Sequence, residues 1–349
     1  MTQPGTFLTR RQAMAAGLAA LGSGALGASA GSPRALAQAP AIVKLPRKIT
    51  IKAATIVAES FPYVDGLKLF KKTIEDKTAG DVEFQIFHSA QLGDERTINE
   101  GILAGSIQLG IGAGAWAGFV PAYNVVELPF LLRDLKQMYA LADGALGEGI
   151  ARQAETKGYK VLAYYSAGEQ HFQTRRTAIR TISDFKGLKM RVIQNKALVD
   201  GFRALGAVPA PLPYPEIYTA LQQGTVDGTA NDVLTVTSAK FYEVAKFFTF
   251  SSYVMEPRPV IMSKSYFDGL PGELQTLLVQ TAKESAAVER KAFEDQSAAG
   301  VEEIKKRGMT VLELSDREKW IELSRPVWAD FAKSTPGAAE LIEVIQKSA

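Results

Sequence analysis

The chain has 349 residues, 46% hydrophobic and 22% charged, the balance of a globular protein long enough for two domains. It has no cysteine and two histidines, His88 and His171, which excludes disulfides and thiolate metal centres and leaves little for a histidine metal site; no cofactor is expected. The formal charge of +3 misleads: Arg10, Arg11 and Arg34 lie in an acid-free leader, and the remainder carries 37 basic against 37 acidic residues, no footprint for nucleic acid.

Residues 1–39 read as an export signal. Thr9-Arg10-Arg11-Gln12 resembles a twin-arginine motif, although Ala13 stands where a phenylalanine is usual. Met14 to Ala30 is an Ala/Gly/Leu run too rich in glycine for a good membrane anchor, and Ala35-Leu36-Ala37 is a small-x-small cleavage site. The general secretory route and a retained helix are the alternatives. Export implies a periplasmic mature chain that does not insert in the membrane.

Lys48 to Ala53 alternates apolar and polar residues, a first strand. A loop with Glu59, Phe61 and Pro62 precedes a helix whose apolar face is Val64, Leu67, Phe70 and Ile74. Asp81 to Phe87 is a second strand; Gln91-Leu92-Gly93-Asp94-Glu95 opens a helix through Ile98 and Leu103; Ile107 to Ile111 is a third strand. That alternation predicts a mainly parallel sheet with helices on both faces. Gly112 to Trp116 follows, without the lysine and Ser/Thr of a phosphate loop, and Trp116 either walls a ligand crevice or seals a loop.

Leu135 to Lys157 reads as one long helix or two, Tyr159 to Tyr165 as a strand, and Gly168 to Thr174 as a crossover into a second domain. Leu188, Met190 and Val192 alternate with Lys189, Arg191 and Ile193, which turns Arg191 away from the core and toward the strand's C-terminal end, where open α/β sheets place ligands. A helix with Ala197, Leu198, Phe202 and Leu205 on one side stops at Gly206, and Val208, Ala210 and Leu212 suggest an edge strand interrupted by prolines. Pro215 and Gly224 bracket the next helix, which leads through Val226-Asp227-Gly228 to Asn231. Arg191 and Asn231 thus leave the ends of two neighbouring strands. Tyr253 to Met262 returns the chain to the first domain, Gly272 to Lys306 is one long helix or two broken near Gly300, and Met309 to Leu314 is a last strand. Ser315 caps a C-terminal helix whose Trp320 and Trp328 read as core.

Four ordered blocks, Gly187-Leu188-Lys189-Met190-Arg191-Val192, Leu205-Gly206-Ala207-Val208-Pro209, Glu216-Ile217-Tyr218-Thr219-Ala220-Leu221-Gln222 and Val226-Asp227-Gly228-Thr229-Ala230-Asn231, resemble the signature of the DctP-type extracytoplasmic solute-binding proteins of TRAP transporters. Gln91-Leu92-Gly93-Asp94-Glu95, Glu127 to Asp134 and Phe241 to Phe247 extend the resemblance over nearly all of the mature chain. It implies that Arg191 clamps a carboxylate, that Asn231 assists it, and that Tyr214 contacts the ligand. The family usually carries an arginine about two residues after Gly168; here stands Gln170, or His171 if the alignment slips by one, with Arg175 or Arg176 as possible compensation. Glu95, Phe172 and Tyr253 complete the candidate site with Trp116. The missing arginine and the aromatic candidates favour a bulky or aromatic monocarboxylate over a sugar diacid.

The expected fold is α/β, two-lobed, with two mainly parallel sheets flanked by helices, a hinge and a long helix spanning both domains. Domain I takes residues 41–168 and 257–296, domain II residues 169–256 and 297–349. The expected function is capture of a small organic acid and its delivery to a TRAP membrane permease. No Gly-x-Ser-x-Gly elbow, Walker motif or convincing carboxylate pair supports the alternative, an exported hydrolase or lyase. A ligand-binding partner of a sensor kinase is the third reading.

Overall fold

The computed structural model describes residues 42–348, so the export signal read at residues 1–39 lies outside them. The first third runs β1 (Ile49–Ala54), α1 (Pro62–Lys77), β2 (Val82–Phe87), α2 (Glu95–Ala104), β3 (Leu109–Ile111), two 3-10 turns, α3 (Leu135–Ala142) and α4 (Ala145–Thr156). The middle runs β4 (Tyr159–Thr174), α5 (Ile182–Phe185), β5 (Lys189–Val192), α6 (Lys196–Ala204), β6 (Val208–Pro211), α7 (Ile217–Gln223), β7 (Gly228–Asn231) and α8 (Val233–Ser238). The chain ends with β8 (Phe247–Ser263), α9 (Lys264–Asp268), α10 (Gly272–Lys306), β9 (Thr310–Glu313), α11 (Arg317–Ser334) and α12 (Ala338–Lys347).

Local chemistry sets most of these boundaries. Pro62 opens α1, and Val64, Leu67, Phe70 and Ile74 are fully buried along one stripe. Asp94 caps α2 by accepting the Thr97 amide at 2.9 Å, and Gly105 ends it at φ 80°. Ser315 is not the cap of α11: Asp316 holds that position at φ 49°, while the Ser315 hydroxyl donates to the Arg180 carbonyl at 2.9 Å. Gly337, at φ 76°, then starts α12, a helix the sequence pattern did not separate from α11.

Strand pairing gives a nine-stranded mixed sheet in the order β2-β1-β3-β8-β4-β7-β5-β6, with β9 added beside β8. The groups β2-β1-β3 and β7-β5-β6 are parallel, as the strand–helix alternation predicts. The long antiparallel pair β4/β8 runs between them and joins both groups into one hydrogen-bonded path. Its register slips between Val161 and Ala163, Ser166 and Glu169, and Gln170 and Phe172. Such bulges bend a ribbon and re-aim its side chains.

Helix α10 is unbroken over 35 residues, about 52 Å at 1.5 Å per residue. Gly300 does not break it; a Cβ there would lie 3.3 Å from Val233 and Leu234, so the glycine admits α8 close against the helix. Leu274, Leu278, Ala282, Ala286, Phe293 and Ile304 bury its inner stripe against α1, β4 and α8. No helix among the described residues is long and apolar enough to cross a membrane.

Candidate functional site

Alternation along β5 sends Met190 and Val192 into the core and Arg191 to the other face. Arg191 is nonetheless only 3% exposed, because β6 and β7 flank its strand. Its Nε donates to the Leu212 carbonyl at 2.9 Å, which fixes the plane of the guanidinium. Among the described residues neither Nη1 nor Nη2 has a hydrogen-bond partner, so the fork is left for something else. Burial lowers its pKa to about 10 and nearby Glu95 opposes the shift, so Arg191 remains a cation at neutral pH.

Arg191 lines a partly open cavity of about 60 Å³. Asn231, Tyr214, Gln170, Glu95 and Tyr253 line it with Arg191, six of the nine residues singled out in the sequence. Asn231 donates to Gln173 Oε1 at 3.2 Å and to Thr229 Oγ1 at 3.1 Å. Gln170 is tied to the Ala167 carbonyl at 2.8 Å. Glu95 accepts the Ala115 amide at 3.1 Å; burial raises its carboxyl above the usual range and Arg258 pulls it back. Burial likewise raises the Tyr214 phenol.

The other three candidates lie elsewhere. His171 lies outside the cavity lining, with Phe248 and Phe250 rings at 5.2 and 4.9 Å. Its Nδ1 accepts the Ser251 and Ser252 amides at 3.2 and 3.1 Å, and burial, with Arg317 nearby, holds its pKa at about 3. It is a neutral packing residue. Phe172, shifted by the register slip after Gln170, belongs to the core with Phe185, Phe202 and Trp320, and stacks on Tyr253 from behind at 5.1 Å. Trp116 is fully buried in a 3-10 turn against Tyr123 and Tyr159 and seals a loop rather than walling the cavity. Trp116 and Phe172 thus drop out of the case for a bulky aromatic ligand, while Tyr214 stays in the lining. Arg175 and Arg176 are not in the cavity lining either; Arg175 packs beneath Gly224.

The second guanidinium comes from a residue the sequence reading passed over. Arg258, in β8, lines the cavity, is 7% exposed and pairs through Nη2 with Glu256 Oε2. Nη1 lies 4.0 Å from Glu127, which is fully buried. Burial, and then the Glu256 carboxylate beside it, raise the Glu127 carboxyl well above its usual range. Asp232, the N-cap of α8, also lines the cavity, and burial pushes its pKa up to about 6. A signal existed: Glu256 and Arg258, two residues apart, put charge on one face of a strand otherwise filled with Val254, Met255, Val260, Ile261 and Met262.

Among the described residues no cluster of His, Cys, Asp and Glu is arranged for a metal ion. Two guanidinium groups, Arg191 and Arg258, and the carboxyl groups of Glu95, Asp232 and Glu256 thus share one cavity lining.

The family model for bacterial extracellular solute-binding protein, family 7, matches residues 53–335. The 2,3-diketo-L-gulonate-binding periplasmic protein YiaO of Escherichia coli K12 is 31% identical over 282 residues, 80% of this chain and 86% of that one. A TRAP periplasmic solute-binding protein from Sulfitobacter sp. NAS-14.1, solved with bound β-D-galacturonate, aligns with a TM-score of 0.83 at 30% identity, covering 86% of this chain and 100% of that one. Another, from Polaromonas sp. JS666 and bound to D-erythronate, aligns with a TM-score of 0.82 at 33% identity, covering 86% and 99%.

Proposed function

The chain belongs to bacterial extracellular solute-binding protein family 7, the DctP-type solute-binding proteins of TRAP transporters, and on that premise we propose that it captures a small hydroxylated carboxylic acid in the periplasm through Arg191 and delivers it to a TRAP membrane permease. Proteins of this family bind solutes and are not enzymes. The observation that carries the proposal is a buried Arg191 in the lining of a cavity, with Nε tied down and, among the described residues, both Nη atoms without a partner. A guanidinium in that state gains two parallel, charge-assisted hydrogen bonds from a carboxylate and nothing comparable from a neutral solute.

The cavity argues for a compact acid. At 10–15 Å³ for each water-sized position, about 60 Å³ admits about four to six such positions. D-Erythronate, carried by the Polaromonas relative, is nearer that size than a hexuronate. Ligand entry requires the cavity to open, and we assign the opening to a hinge between residues 41–168 with 257–296 and residues 169–256 with 297–349. The β4 and β8 bulges and α10 are where the chain crosses between these parts. Both parts touch the same acid when closed, so binding stabilises the closed state.

The test is a thermal-shift screen of the purified protein against a panel of carboxylic acids, with Arg191→Met beside it. An acid at about 100 times its dissociation constant adds about 2.7 kcal/mol of stability. The expected result is a shift for a small hydroxy acid in the wild type and none in the variant at equal folded content. An undiminished shift in Arg191→Met overturns the clamp.

A further inference from the structure

The Arg191 clamp accounts for one end of the cavity. At another wall Arg258 is more than nine-tenths buried, and among the described residues its Nε and Nη1 have no hydrogen-bond partner. Neither nitrogen has accessible surface, so what this wall offers an incoming oxygen is the ion pair that Arg258 makes through Nη2 with Glu256, both residues lining the cavity. The kind of oxygen follows from the charges around it. Glu256 already neutralises Arg258, and Glu95 and Asp232 add carboxyl groups to the same lining. A second ligand carboxylate would meet this wall without an unspent cation and against several acids. A hydroxyl meets it differently, accepting from Arg258 and donating to Glu256. Glu127 stands beside the pair, 4.0 Å from Nη1, with both oxygens buried and the Glu256 carboxylate as its neighbour.

We propose that Arg258 and Glu256 form a second subsite that reads a hydroxyl at the end of the ligand remote from its carboxylate, with Glu127 as a positioning residue, so that the cavity takes hydroxy-monocarboxylates and rejects dicarboxylates of equal length. The proposal rests on the Arg191 reading above and names the substrate class of that site. It puts the second guanidinium on β8, where Arg258 pairs in register with Tyr165 of β4, and not at Gln170, which pairs with Val254.

Two matched series separate the subsite from the clamp by calorimetric titration of the purified protein. The first is D-erythronate, its 4-deoxy analogue of the same stereochemistry, and meso-tartrate; the second is D-galactonate, 6-deoxy-D-galactonate and galactarate. In the series that binds, the expected order is hydroxy acid, then deoxy acid about 30- to 100-fold weaker, then diacid weaker still. Arg258→Met reduces the hydroxy-to-deoxy ratio to about threefold or less and leaves the deoxy acid within about threefold of wild type. Arg191→Met loses every acid. Glu256→Gln, which keeps the shape and frees the Arg258 charge, raises diacid affinity relative to the hydroxy acid by about tenfold or more, and decides the matter if Arg258→Met does not fold. The subsite is refuted, with the clamp intact, if Arg258→Met weakens hydroxy and deoxy acids equally, if Glu256→Gln leaves the diacid ratio unchanged, or if the diacid binds wild type as well as the hydroxy acid. If neither series binds wild type, or Arg191→Met binds like wild type, the clamp fails and the subsite with it.

Discussion

Asp232 offers the sharpest test of the electrostatics in this cavity. It is 4% exposed, caps α8 through the Thr235 amide at 2.9 Å, and has a pKa pushed from 3.8 to about 6, chiefly by burial. A carboxyl whose pKa is raised by folding is held neutral in the native state while the unfolded chain ionises, so stability is lost as pH rises from the unfolded value to the folded one. About two pKa units at 1.36 kcal/mol each give a loss of about 3 kcal/mol by neutral pH. Asp232→Asn keeps an acceptor for the Thr235 amide and cannot ionise. Urea unfolding of both proteins without ligand, at several pH values between about 3 and 8, should therefore find equal stability near pH 3. The variant's advantage should grow by about 1.4 kcal/mol per pH unit between about pH 4 and 6, then level off near 3 kcal/mol. Parallel stability curves would mean that Asp232 ionises normally in its pocket. A wild type that gains on the variant with rising pH would mean that the cap hydrogen bonds outweigh desolvation, and the reasoning fails.

His171 should behave in the opposite sense. Its folded pKa of about 3 lies below the ordinary 6.5, so its neutral state costs stability only as pH falls below about 6.5, and His171→Asn, which keeps an acceptor for the two serine amides, should resist acid better in the same melts. The same variant should bind the acid within about threefold of wild type, because the ring is not part of the cavity lining. Gly168 holds φ 61° with Phe293 only 2.3 Å from where a Cβ would stand; Gly168→Ala should destabilise by about 2–4 kcal/mol, read as a lower urea midpoint at unchanged slope. Trp320→Ala removes a fully buried ring packed on Phe130, Phe172 and Phe185 and should cost about 3–5 kcal/mol by the same assay.

Much of this molecule is local, and the local part is written in the sequence. Pro62, Asp94, Gly105 and Gly224 mark helix ends by their own backbone chemistry, and the β1, β2 and β5 patterns need only the period of a strand. Arg191 was found the same way, since one strand's alternation suffices to turn it out of the core. The long helix was legible as a run of helix formers, and its tolerance of Gly300 follows from a close approach that only the packed fold creates.

What tertiary structure decided is where nonlocal partners meet. The Ser166–Glu169 and Gln170–Phe172 register slips reset the faces of β4, so Gln170 enters the cavity while His171 and Phe172 do not. No spacing rule applied to the sequence carries across a bulge. Trp116 read equally well as wall or seal until Tyr123 and Tyr159 closed around it. Arg258 is distant in sequence from Arg191, Glu95 and Glu127, and nothing local ties it to them. It becomes part of the site because β8 pairs with β4 and passes the cavity, bringing a buried arginine to where its charge has to be shared.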